Sequence, residues 1–156
     1  ISIILKQSNT DINAVCQGQT PMDFAAMYGF QSIVKLLLEH GADPNFENQY
    51  TCYTPLHWAC SGLKSCDNIT LLLLEHGANP NSRLDRNGMT PLHCATAVGK
   101  ERSVDILLSS STSISNRNNV NIEYLDDEGN TPISIARKRG RKMILRKLLK
   151  ARLISK

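Results

Sequence analysis

Four Thr-Pro steps recur along the chain: Thr20-Pro21-Met22-Asp23, Thr54-Pro55-Leu56-His57, Thr90-Pro91-Leu92-His93 and Thr131-Pro132-Ile133-Ser134, their prolines 34, 36 and 41 residues apart. A threonine oxygen can accept from an orphan N–H at a helix start, and proline fits the first turn because its missing N–H would have no partner there. Each step therefore starts a helix. A small residue follows in register (Ala25, Ala59, Ala95, Ala136), leaving room for a neighbouring helix. Gly29, Gly99 and Gly140 stand nine residues after their threonines, where a tight turn needs positive φ. Apolar clusters then close on Leu37-Leu38, Leu73-Leu74, Leu107-Leu108 and Leu148-Leu149. Gly41 and Gly77 stop the second helix, and Asp43-Pro44-Asn45 and Asn79-Pro80-Asn81 turn the chain. The unit is helix, turn, helix, and such a unit buries its apolar face only against its neighbours.

These residues resemble the ankyrin repeat, whose period is about 33 residues and whose signature is Thr-Pro-Leu-His-x-Ala. The resemblance runs over nearly the whole chain. It implies an all-α solenoid of stacked helix-turn-helix units with β-hairpin-like loops, one domain over 1–156 divided as 1–13 (a partial repeat), 14–47, 48–83, 84–119 and 120–156 (a basic capping repeat). Asp85-Arg86-Asn87-Gly88-Met89-Thr90 and Asp126-Asp127-Glu128-Gly129-Asn130-Thr131 match the family's Asp-x-x-Gly-x-Thr loop. The first loop keeps Gly18 without the aspartate, and the second, Gln49-Tyr50-Thr51-Cys52-Tyr53-Thr54, has neither, so an irregular hairpin is expected there. Insertions at 62–68 and 109–119 are expected to be the most mobile segments. Ile3-Ile4-Leu5 reads as the tail of a second helix, with further repeats expected ahead of Ile1.

Composition narrows the function classes. With 41% hydrophobic and 21% charged residues, the 156-residue chain falls among ordinary globular proteins. Its longest apolar runs, such as Leu71 to Leu74, fall far short of the roughly 20 residues of a membrane span. Five scattered cysteines make no disulfide framework, so a reducing, intracellular setting (cytoplasm or nucleus) is expected. Residues 1–136 carry eight Lys and Arg against fourteen Asp and Glu, a net −6, whereas residues 137–156 carry ten basic residues and no acid.

No catalytic constellation is present: there is no Gly-x-Ser-x-Gly, no phosphate loop and no His-Glu-x-x-His. His57 and His93 belong to the repeat signature, which implies hydrogen bonds between adjacent repeats. His57, Cys60 and Cys66 lack the paired Cys-x-x-Cys spacing of a zinc site, and Cys60 falls at a small core position. No metal, cofactor or enzymatic activity is expected. Trp58 stands where Phe24, Cys94 and Ile135 stand in the other repeats and reads as core. The helical packing does not need Met27, Tyr28, Tyr50, Tyr53 or Met89, which fall on loop tips and first-helix ends. In ankyrin proteins those positions line the concave face and grip a partner. The resemblance thus implies a protein-binding scaffold, a monomeric domain whose contact row is Gln19, Met27, Tyr28, Tyr50, Tyr53, Arg86, Asn87, Met89, Asp127, Glu128 and Asn130, closed by Lys138 and Arg139.

The basic end supports a second reading. Arg137-Lys138-Arg139-Gly140-Arg141-Lys142 suits a nucleic-acid backbone, a nuclear-import receptor or an anionic membrane surface. Ile144, Leu145, Leu148 and Leu149 keep the spacing of a buried helix face, placing Arg141, Lys142, Arg146, Lys147 and Lys150 on the solvent side. No aromatic residue interleaves these charges, so they form no stacking platform for single strands.

Overall fold

The computed structural model describes residues 11–16, 18–62, 66–84, 86–110 (Ser110 in its backbone only) and 120–154. Among the described residues there are eight helices: α1 Pro21–Tyr28, α2 Gln31–Glu39, α3 Pro55–Ser61, α4 Asp67–Glu75, α5 Pro91–Val98, α6 Glu101–Ser110, α7 Pro132–Lys138 and α8 Lys142–Ile154. Among these residues β-structure is confined to an isolated bridge between Cys16 and Gln19. The chain divides into two compact units, Ile1–Ala78 and Asn79–Lys156. In the first, α1 packs on α2 and α3, and α4 on α3 and α2; in the second, α5 packs on α6 and α7, and α8 on α7 and α6. Each unit is thus a pair of helical hairpins laid side by side, the all-α class expected.

Every Thr-Pro step starts a helix. Thr20 Oγ1 accepts from the Asp23 amide at 3.1 Å while the Thr20 amide donates back to Asp23 Oδ2 at 3.0 Å. His57 and His93 stand in the same place, and their Nδ1 atoms lie 2.8 Å from Thr54 Oγ1 and Thr90 Oγ1. At the fourth start the Ser134 amide donates to Thr131 Oγ1 at 3.2 Å. Gly29, Gly99 and Gly140 have φ of 81°, 95° and 65°, and Gly41 and Gly77 have 83° and 86°, so turn and stop glycines behave as expected. The core is a row of small and branched residues, Ala25, Leu37, Leu56, Ala59 and Leu73 in the first unit and Leu92, Ala95, Leu107, Ala136 and Leu148 in the second.

Two expectations, on the second loop and on the charged face of α8, need correction. The second loop is not irregular: the Asn48 amide donates to Tyr53 O and the Cys52 amide to Asn48 O, repeating the bonds from Leu84 to Met89 O and from Gly88 to Leu84 O in the third loop. Cys52 takes the glycine's conformation there, with φ of 59°. The first insertion is anchored at both described ends, since Gly62 and Cys66 are buried and Cys66 Sγ donates to Ala26 O at 3.2 Å. Residues 63–65, 111–119 and 1–10, on which other expectations fell, lie outside the described residues. Arg141 and Lys147 do not stand free in solvent: Arg141 Nη2 donates to Val98 O at 2.9 Å, and Lys147 Nζ pairs with Asp105 Oδ2 at 2.6 Å.

Candidate functional site

In the first unit, Gln19 closes the loop before α1 by exchanging backbone hydrogen bonds with Cys16, and its Nε2 lies 3.8 Å from Met27 Sδ at the end of that helix. Tyr28 joins Phe24 and Phe30 in an aromatic cluster, with ring centroids 4.5 and 6.3 Å away. Tyr53 lies against Trp58, centroids 4.5 Å apart, and meets the His57 ring edge-on. Tyr53 therefore packs, and only Tyr50, 66% exposed, stands out from its loop. Trp58 is half-buried rather than full core, and its indole N–H has no acceptor among the described residues.

The sequence reading missed Phe24 and Phe30. Phe24 occupies the register position of Cys94 and Ile135, which are buried, yet it is 47% exposed. With Pro21, Ala25, Ile33 and Cys16 these two rings line an apolar groove of about 470 Å³. The available signal was chemical: a phenyl ring where two other repeats place smaller side chains.

In the second unit the expected residues converge. Asn87 and Met89 from one loop, Glu128 and Asn130 from the next, and Lys138 and Arg139 at the end of α7 line one pocket of about 200 Å³ floored by Ala97 and Ile135. The loops are joined directly, the Asp127 amide donating to Asn87 O at 3.0 Å. Arg83 Nη2 stands 3.6 Å from Asp127 Oδ1 and donates to Leu125 O at 3.1 Å.

Asn130 is buried, which removes it from the contact row. Its side-chain amide donates to Asp126 and to Glu128 Oε2 at 3.1–3.2 Å, its Oδ1 accepts from Lys138 Nζ, and its carbonyl faces His93 Nε2 at 3.1 Å. It holds the pocket's charged rim in place. Partial burial acts to raise the Asp126 carboxyl, but the backbone and side-chain amides of Asn130, the nearby His93 and the Glu128 amide together keep it below the usual range. Arg139 Nη1 donates to Ala97 O at 3.1 Å, so the pocket meets solvent with one tethered guanidinium, one ammonium and the Glu128 carboxylate. Arg86 and Asp127 are exposed beside it, and Asp127 belongs to the Arg83 pair rather than to the lining.

Nothing in this arrangement assembles a nucleophile with a base. His57 and His93 are fully buried and serve the helix starts, and burial pushes the Cys94 thiol up to about 12. Among the described residues no three His, Cys, Asp or Glu side chains gather as a cation-binding group, and no helix is long and apolar enough to cross a membrane.

No curated protein matches the chain. A family model described as ankyrin repeats (3 copies) matches residues 45–118, and one described as ankyrin repeat matches residues 17–49. Ankyrin repeats are in general protein-interaction modules without catalytic activity. With the Thr-Pro starts, the helical hairpins and both family matches in agreement, the chain belongs to the ankyrin-repeat family.

Proposed function

We propose that this chain is a non-catalytic scaffold that holds another protein through the loop tips and first-helix ends of its repeats. The observation that carries this reading is the convergence in the second unit: two successive loops and the end of α7 place Asn87, Met89, Glu128, Lys138 and Arg139 around one opening. Such a pocket has an apolar floor for an anchoring side chain and charges of both signs at its rim, the division of labour seen at protein interfaces. In the first unit Gln19, Met27, Tyr28 and Tyr50 supply the matching large or adaptable side chains. Tyr53 contributes by supporting Trp58, and Arg86 and Asp127 flank the pocket.

The test is affinity capture of a partner followed by calorimetric titration. Tyr50→Ala and Met89→Ala leave the helix starts intact and should each weaken the captured partner by roughly ten-fold or more, the effect of a contact hot spot. Unchanged affinity in both variants would remove the loop tips and the pocket from the interface.

A further inference from the structure

Nine of the ten basic residues that end the sequence sort into two groups. Lys138, Arg139, Arg141, Lys147 and Arg152 are engaged: with Asn130 Oδ1, with the carbonyls of Ala97 and Val98, with Asp105, and with Glu123 Oε1 at 2.7 Å. Arg137, Lys142, Arg146 and Lys150 are exposed and have no partner among the described residues. Lys156 lies outside them.

Three of the unengaged cations share one line. Lys142, Arg146 and Lys150 are spaced four apart on α8, so each stands about 6 Å from the next along a single face. At about 100° per residue, Met143, Leu153 and Ile154 fall in the same sector, roughly 120° wide. These three are 50%, 79% and 73% exposed, while Ile144 and Leu148 on the opposite side are buried. The outward ridge of α8 is therefore cationic and apolar at once, with Met143 beside Lys142 at its start and Leu153 and Ile154 just beyond Lys150 at its end.

We propose that this ridge docks on an anionic lipid surface, with Lys142, Arg146 and Lys150 against headgroup phosphates and Met143, Leu153 and Ile154 in the boundary between headgroups and acyl chains. Charge complementarity selects an anion, because no acidic residue occurs after position 136. The sharing of one face selects lipid. A nucleic-acid backbone would engage the cations and leave three large apolar side chains in water. An acidic partner helix would need an apolar stripe running beside the cations, whereas Met143 and the Leu153–Ile154 pair stand at opposite ends of the ridge. The headgroup interface accepts both kinds of side chain in one plane, the cations reaching phosphates by their long stems while the apolar tips sink. The net −6 of residues 1–136 disfavours contact of those residues with such a surface. Binding is peripheral, since α8 is 13 residues long and crosses nothing.

The test is co-sedimentation of the full chain with vesicles of phosphatidylcholine alone or mixed with phosphatidylserine. Binding is expected only with phosphatidylserine and should weaken as salt is raised. Each cation replaced by alanine should lower partitioning about five-fold, so Lys142→Ala, Arg146→Ala and Lys150→Ala together should lower it about a hundred-fold. These side chains hold no partner among the described residues, and an unchanged circular dichroism spectrum verifies that the variant is folded. Leu153→Ser with Ile154→Ser should also lower partitioning. The proposal is overturned by equal binding to phosphatidylcholine alone, by undiminished binding of the triple variant, or by a serine pair that binds like the parent. Tighter binding to duplex DNA or to an acidic amphipathic peptide than to the vesicles at the same salt also overturns it.

Discussion

Asn48 Nδ2 donates to Asp23 Oδ2 at 2.9 Å, tying the loop before α3 to the capping residue of α1. Asn48 is fully buried, and its other contacts are as specific: the same Nδ2 donates to Gly18 O at 2.7 Å, and its Oδ1 accepts from the amides of Tyr50 and Thr51. Asp23 is equally buried, with Oδ1 unpaired among the described residues, and desolvation raises its carboxyl above the ordinary value against the opposing bonds from Asn48 and Thr20.

Asn48→Ala should therefore destabilise the protein by about 2–4 kcal/mol in urea unfolding, because it strips a hydrogen bond from a buried carboxylate and leaves loop amides unpaired. The effect depends on pH. A raised carboxyl in the fold contributes stability that is fully present below the unfolded value and is lost as pH rises through the folded one. Removing Asn48 raises Asp23 further, so the gap between parent and variant should widen from pH 4 to pH 7. An equal gap at both pH values would show that Asn48 does not act through Asp23.

Cys52 occupies the loop position held by Gly18, Gly88 and Gly129 and shares their positive φ. A side chain in that region costs about 1–2 kcal/mol. Cys52→Gly should raise stability by about 0.5–1 kcal/mol, the relief of strain being offset in part by the freer unfolded chain. Cys52→Ser keeps the strain and should gain nothing; a gain equal to that of glycine would trace the effect to the thiol instead.

The Thr-Pro steps, turn glycines and paired leucines made the helices legible because their roles are local: capping, chain reversal and amphipathic spacing. Asn87, Met89, Glu128, Lys138 and Arg139 were named for a related reason, since they occupy repeated register positions at loop tips and helix ends. Asn130 escaped because a polar side chain in a loop reads as exposed, and its burial depends on Asp126, Glu128 and Lys138 closing over it. Phe24 escaped because register equates it with the buried Cys94 and Ile135, whereas its ring lies at the surface against Tyr28 and Phe30. Lys147 and Arg141 were assigned to solvent from helix periodicity alone, which cannot register carbonyls and carboxylates offered by α5 and α6.

Gly62 has a φ of −57°, open to any residue, yet a Cβ built there would lie 2.5 Å from Met27 O and 2.8 Å from Trp58 O. Both are backbone oxygens in packed helices and neither can swing aside. Gly62→Ala should cost about 2–3 kcal/mol by overpacking. Gly41→Ala offers the converse case: its φ is 83° and nothing lies within 4 Å of the added carbon, so strain alone should cost about 1 kcal/mol. Thermal unfolding of the two variants separates a steric from a torsional penalty, and equal costs would contradict the close approach of α1 to α3.

His93 faces Asn130 O through Nε2 at 3.1 Å, while Nδ1 receives the Thr90 amide at 3.2 Å and lies 2.8 Å from Thr90 Oγ1. A ring that donates from Nε2 and accepts at Nδ1 is neutral, and a second proton on Nδ1 would point at the Thr90 N–H. Burial lowers the His93 value from the ordinary 6.5, against the pull of Asn130 O and Asp126. A depressed histidine contributes stability that is present above the unfolded value and lost as pH falls through the folded one, the opposite sign to Asp23. In an NMR titration the ring should hold the Nε2–H tautomer below pH 6.5, and titration at the ordinary value would refute its buried, neutral role. His93→Gln should lower stability at pH 7 and flatten its decline on acidification. In that variant the remaining slope from Asp23 should emerge, stability rising as pH falls, so the two buried groups are separable by the direction in which each responds.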